Sequence, residues 1–200
     1  LLTDRIILDG AYQDTLKGHT KYTDMRGDIQ LRQEIIKFYK EEYDMDVDDS
    51  EVMITASGLL SMYAALQAIT DPGDEILIQA PFFTPYTAQV EMAGGVPVEM
   101  PTYEEEDFQI NLDRLESPIT ERTKALIINS PSNPSGSCLS VCTMEGLAKI
   151  VEKHDLIVSA DDIYTSYSFE NDFVPFASMP GMRERTITIN SFSKNFLMTG

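Results

Sequence analysis

Residues 70-TDPGDEILIQAPFFTPY-86 pass through a turn, a strand and an aromatic loop in quick succession. The Pro-Gly pair within 71-DPGDE-75 ends one element, Glu75–Gln79 is an apolar run of strand type, and Pro81-Phe82-Phe83 follows as a loop. Ahead of the turn, Leu59–Ile69 carries apolar residues at helical spacing. A helix, a turn and a strand in that order is one step of an alternating α/β chain.

The same step recurs on both sides. Further candidate strands are Val52–Thr55, Val96–Met100, Lys124–Asn129, Leu156–Ala160 and Thr186–Asn190, and Thr143–His154 has a helical apolar pattern. Upstream, Asp28–Tyr43 reads as an amphipathic helix through Ile29, Ile36, Tyr39 and Tyr43, its stripe widened by Leu31, Ile35 and Phe38. This alternation predicts a three-layer α/β fold, a mostly parallel sheet flanked by helices. There is no internal repeat and no low-complexity linker.

Composition narrows the partners. With 33 acidic and 15 basic residues the net charge is −18, which repels phosphate backbones and anionic membrane surfaces, so neither nucleic acid nor membrane is expected as a partner. The acidic clusters 41-EEYDMDVDDSE-51 and 104-EEED-107 read as solvated rims. No apolar run reaches the roughly 20 residues of a membrane span, and 1-LLTDRIILDG-10 lacks the features of a signal peptide, so a cytoplasmic location is expected. Cys138 and Cys142 have no histidine nearby and read as inert thiols, and His19 and His154 stand apart, so no metal is expected.

Open parallel sheets collect ligands beyond the carboxyl ends of their strands, where βα loops and helix N-termini converge. The residues just after the candidate strands are Ser57-Gly58-Leu59, Pro81-Phe82-Phe83, the loop Asn129 to Pro134 containing Asn133, Asp161-Asp162-Ile163-Tyr164, and Ser191-Phe192-Ser193-Lys194. Together they offer a phosphate-type turn, an aromatic face, an amide, a carboxylate, a phenol and an amine. That inventory suits pyridoxal 5′-phosphate. Lys194 would hold its aldehyde as a Schiff base, Asp161 would keep the ring nitrogen protonated, Asn133 and Tyr164 would donate to the ring oxygen, and Phe83 would cover the ring face. Ser57, Gly58 and Leu59, at the start of the Leu59–Ile69 helix, would take the phosphate, with Ser191 one strand period from Ser193 able to reach it.

The segments 21-KYTDMRGDIQLR-32, 53-MITASG-58, 70-TDPGDEILIQAPFFTPY-86, 129-NSPSNPSG-136, 161-DDIY-164 and 191-SFSKNFLMTG-200 resemble the class I/II aminotransferases, fold-type I pyridoxal phosphate enzymes related to aspartate aminotransferase. The resemblance implies that Lys194 forms the Schiff base and shuttles the proton as general base and acid. It implies that Asp161 pairs with the ring nitrogen, that Tyr164 and Asn133 contact the phenolic oxygen, and that Phe83 stacks on the ring. By the same transfer Ser57, Gly58, Leu59, Ser191 and Ser193 bind phosphate, and Tyr22 reaches the neighbouring site of a homodimer. It assigns residues 1–25 to an N-terminal, dimer-contacting segment and 26–200 to an incomplete cofactor-binding large domain. The function it implies is amino transfer between an amino acid and a 2-oxo acid, with a carbon–sulfur β-lyase or a ligand-sensing domain as alternatives.

The chain departs from the family pattern in three ways. Asp162 stands where a glutamate is usual, and Phe83 where a larger aromatic or a tyrosine is usual. After Gly200 the family continues to a phosphate-binding arginine, one more antiparallel sheet strand and a small domain with the substrate-carboxylate arginine. The expectation is therefore of part of a longer enzyme, lacking one sheet strand and the small domain. Ser191-Phe-Ser-Lys194 also spells S-x-x-K, the nucleophile motif of penicillin-binding proteins, but the Ser-Asp-Asn and Lys-Thr-Gly partners of that motif do not occur. Neither a G-x-G-x-x-G nor a Walker A stretch is present.

Overall fold

The computed structural model describes residues 2–199; Leu1 and Gly200, the outer ends of the two segments assigned above, lie outside them. The chain runs through α1 (Arg5–Leu16), α2 (Ile29–Tyr43), α3 (Gly58–Ile69), β1 (Glu75–Ala80), α4 (Pro85–Met92) and β2 (Val96–Pro101). It continues through α5 (Leu112–Glu116), β3 (Thr123–Asn129), α6 (Val141–Lys153), β4 (Ile157–Asp161), β5 (Thr186–Ile189) and α7 (Phe192–Asn195). It divides into two compact units: Gly58–Asn190, and the residues up to Ser57 together with those from Ser191 on.

The Gly58–Asn190 unit is a five-stranded sheet in the order β2-β1-β3-β4-β5, with every described pairing parallel. Strand residues alternate between two cores, as a sheet covered on both faces requires. Ile76, Ile78, Ala125, Ile127 and Ile189 pack with Met62 and Leu66 of α3 and with Tyr86 and Val90 of α4. Leu77, Leu126, Ile128, Val158 and Ala160 pack with Met144, Leu147 and Val151 of α6 and Leu115 of α5. The buried positions of α6 recur at three- and four-residue spacing, and Ser140 starts the helix by accepting from Thr143 N–H. Fully buried side chains such as Leu77 and Leu126 each contribute about 2 kcal/mol of apolar transfer. At the amino end of β1, buried Glu75 accepts from Arg122 and Thr120, whose segment leads into β3. The chain order reverses between β1 and β3, so the carboxyl ends of those two strands flank the topological switch point.

In the other unit, Asp4 caps α1 by accepting from Ile6 N–H, and Asp28 caps α2 by accepting from Gln30 and Leu31 N–H. No residue of α1 is buried. On α2, buried Arg32 donates to Asp49 Oδ1 at 2.9 Å and to the carbonyl of Gly27 at 2.6 Å. The Gly27 backbone is left-handed at φ +95°, and a Cβ there would lie 2.5 Å from Ile54 Cβ.

Strands β1 to β5 fall where the pattern predicts them, within a residue or two. Val52–Thr55 does not form a strand: Val52 is extended and Ile54 N–H donates to Arg26 O at 2.9 Å, but no strand ladder includes the segment among the described residues. β-rich composition makes extended backbone easy, but only a paired neighbour makes it a strand. Helices α1, α4, α5 and α7 go beyond the predicted set. Three of them bury few residues or none, which leaves little apolar periodicity to read.

Candidate active site

In the Gly58–Asn190 unit, Asp161 is the last residue of β4, on the sheet face covered by α3 and α4. Tyr86, on the first turn of α4, donates its O–H to Asp161 Oδ2 at 2.5 Å, and both groups are buried. The Phe83 ring meets Tyr86 edge-to-face, with centroids 5.8 Å apart and an interplanar angle of 82°. Asn129, the last residue of β3, donates from Nδ2 to the main-chain carbonyl of Asp161 at 2.7 Å. Its Oδ1 accepts the Asn133 main-chain N–H, also at 2.7 Å. The Asn133 side chain in turn donates from Nδ2 to the Tyr164 hydroxyl at 3.3 Å. Asp161, Asn133, Tyr164 and Phe83 are thus linked through Tyr86 and Asn129.

The electrostatics follow from burial at the carboxyl end of an interior strand. Burial pushes Asp161 up to about 6, although the Tyr86 bond and the nearby Ile163 N–H pull the other way. Asp162 is raised well above its ordinary value by burial and then by the Asp161 charge. Burial and the Asp161 charge keep Tyr86 protonated far beyond neutral pH. Burial also raises Tyr164, opposed by its bond from Asn133. Among the described residues, buried Asp161 Oδ1 has no hydrogen-bond partner, an arrangement that costs free energy unless a donor reaches it. A protonated ring nitrogen is such a donor, so the residues present fit the ring of pyridoxal phosphate.

In the other unit, Ser191 caps α7, its Oγ accepting from Ser193 N–H at 3.1 Å, and Lys194 is the third residue of that helix. The S-x-x-K segment follows strand β5 and opens a short helix; what argues against acyl transfer is the missing partner motifs. Ser57 is exposed, and its carbonyl accepts from the Thr55 hydroxyl at 2.8 Å. The Tyr22 side chain is fully exposed. Gly58 and Leu59, which belong to the Gly58–Asn190 unit, open α3, and Leu59 is half-exposed.

Two residues at the heart of this geometry, Tyr86 and Asn129, are absent from the candidates read from sequence. Tyr86 stands three positions after Phe83, the spacing that places both on one side of a helix start. Asn129 is a polar residue ending an otherwise apolar strand, where a buried amide must find partners.

The profile of the family "Aminotransferase class I and II" matches residues 5–200. The chain is 42% identical over 185 residues to the aspartate aminotransferase of Pyrococcus abyssi, covering 92% of this chain and 48% of that protein. It is 37% identical over 194 residues to the arginine–pyruvate transaminase of Pseudomonas aeruginosa, covering 97% and 49%. The solved aromatic aminotransferase of Pyrococcus horikoshii superposes with a TM-score of 0.97 at 40% identity, over all of this chain and 54% of that one. The chain spans about half the length of the curated relatives it matches. A parallel sheet with a buried acid, amide and phenol grouped past its carboxyl ends, together with a profile match over nearly every residue, makes this chain a member of the class I and II aminotransferase family.

Proposed function

We propose that the protein carrying this chain is a pyridoxal phosphate-dependent aminotransferase that moves an amino group between an amino acid and a 2-oxo acid. The observation that carries this reading is the buried Asp161 carboxylate, one oxygen bonded to Tyr86 and the other without a partner among the described residues, beside the Asn133–Tyr164 pair. Pyridoxal phosphate, when bound, supplies an aldehyde carbon that takes up the amino group and a protonated ring that withdraws electrons from the substrate α-carbon.

Asp161 is suited to hold that ring proton in place, because an ionised carboxylate stabilises a cation most strongly where water is excluded. Asn133 and Tyr164 donate to the ring oxygen, and Phe83 covers one ring face. Ser57, Gly58, Leu59, Ser191 and Ser193 bind the phosphate through hydroxyls and main-chain N–H groups. Lys194 would hold the aldehyde carbon through Nζ until the amine of the incoming substrate takes its place on that carbon, and the freed Nζ would then carry a proton to and from the substrate α-carbon. Tyr22 reaches the phosphate of the partner subunit in a homodimer. A cytoplasmic, water-soluble setting accords with the acidic composition, and no helix among the described residues is long and apolar enough to cross a membrane.

The test is amino exchange by the full-length protein, with nitrogen-labelled donors spanning acidic, aromatic and basic amino acids, since relatives are named for aspartate, aromatic and arginine substrates. Label appearing in the acceptor supports the proposal. Release of pyruvate and thiol from cystathionine without exchange would identify a β-lyase instead. Cofactor binding with neither reaction would point to a sensing domain.

A further inference from the structure

Tyr86 holds the Asp161 carboxylate directly. Its O–H donates to Oδ2 at 2.5 Å, and Phe82 and Phe83 pack against its ring at centroid distances of 6.5 and 5.8 Å. Val90, one helical turn on, is fully buried, so the start of α4 is anchored in the core. Among the described residues nothing bonds Oδ1, which is left for a ligand. One oxygen is saturated by a neutral donor and the other is open to a cation.

We propose that Tyr86 is a positioning residue which, by hydrogen-bonding Oδ2, keeps the proton between Asp161 and the ligand's ring nitrogen on the nitrogen. This rests on the pyridoxal phosphate reading above. Burial alone drives Asp161 toward its neutral form, and a neutral Asp161 would keep the proton for itself. A donor to the carboxylate opposes this by favouring the ionised state. Tyr86 can play that part at any ordinary pH, because its own proton is held firmly by burial and by the Asp161 charge. The other titratable groups facing Asp161 within this unit are Asp162 and Tyr164, on the segment after β4. Asp162 is itself pushed toward its neutral form by burial, which limits the negative charge it sets beside Asp161.

The experiment uses pyridoxal phosphate labelled with nitrogen-15 in its ring, bound to the full-length protein, because the chemical shift separates a protonated from a free ring nitrogen. The wild-type nitrogen is expected to stay protonated through neutral pH. In Tyr86→Phe, which removes one hydroxyl, the ring nitrogen is expected to bind its proton about tenfold less tightly, so its titration midpoint falls by about one pH unit. An unchanged midpoint in Tyr86→Phe, with the wild-type signal intact, overturns the role of Tyr86 and leaves the cofactor site standing. A wild-type protein that fails to bind the cofactor, or binds it with a free ring nitrogen, overturns both. Should the phenylalanine variant not fold, replacing Tyr86 by a ring-fluorinated tyrosine keeps the hydroxyl and makes it a stronger donor. The midpoint is then expected to rise, and one that stays put overturns the proposal.

Discussion

Asn129 donates its side-chain N–H to the main-chain carbonyl of Asp161 at 2.7 Å, across the pairing of β3 with β4. The same buried amide accepts the Asn133 N–H at 2.7 Å, so one side chain sets the position of two residues of the candidate site.

Asn129→Ala should therefore harm stability as well as the site. It leaves a buried carbonyl and a partly buried N–H without these partners, and the combined loss should be about 2–4 kcal/mol in urea unfolding. Asn129→Asp retains an acceptor for Asn133 but donates to the Asp161 carbonyl only while protonated. Its deficit relative to wild type should grow as pH rises from acid to neutral; a deficit that does not depend on pH would contradict the bonding described here.

The buried Asp161 sets a pH dependence whose sign can be worked out. Its folded-state value is raised from 3.8 to about 6, so between those values the folded ligand-free protein binds more protons than the unfolded chain. Stability from this group is complete below about 3.8 and is lost as pH rises through about 6, a penalty of roughly 3 kcal/mol at neutral pH. Asp161→Asn removes that term. Compared with wild type, the variant without cofactor should gain stability across this window, as read by denaturation at a series of pH values. Parallel pH profiles would show that Asp161 is not the buried acid described.

Two glycines should respond oppositely to alanine. Gly27 has a left-handed backbone, and its Cβ would collide with Ile54, so Gly27→Ala should cost about 2–4 kcal/mol through strain and crowding. Gly10 lies within α1 with nothing inside 4 Å of its would-be Cβ, and Gly10→Ala should stabilise by about 0.5–1 kcal/mol. Thermal unfolding of the two variants measures both signs.

Much of this was legible in the sequence, for identifiable reasons. Strands β1 and β3 are buried on both faces and read as unbroken apolar runs, and α6 shows its core stripe openly. Asp161, Asn133 and Tyr164 could be read because ligands of parallel sheets gather past strand ends. The contribution of Tyr86 was not legible: a tyrosine on a short helix looks like core, and only the β1-to-α4 geometry turns its hydroxyl to Asp161. Val52–Thr55 misled because side-chain composition describes extended backbone but not the neighbour it needs.

The most direct measurement concerns Lys194. The full-length protein, incubated with pyridoxal phosphate and reduced with borohydride, should carry the cofactor on the peptide containing Lys194, and the Lys194→Ala variant should lose both this mark and the near-visible absorption of lysine-bound cofactor. Cofactor fixed to another lysine, or absorption that survives unchanged in the variant, would contradict the assignment.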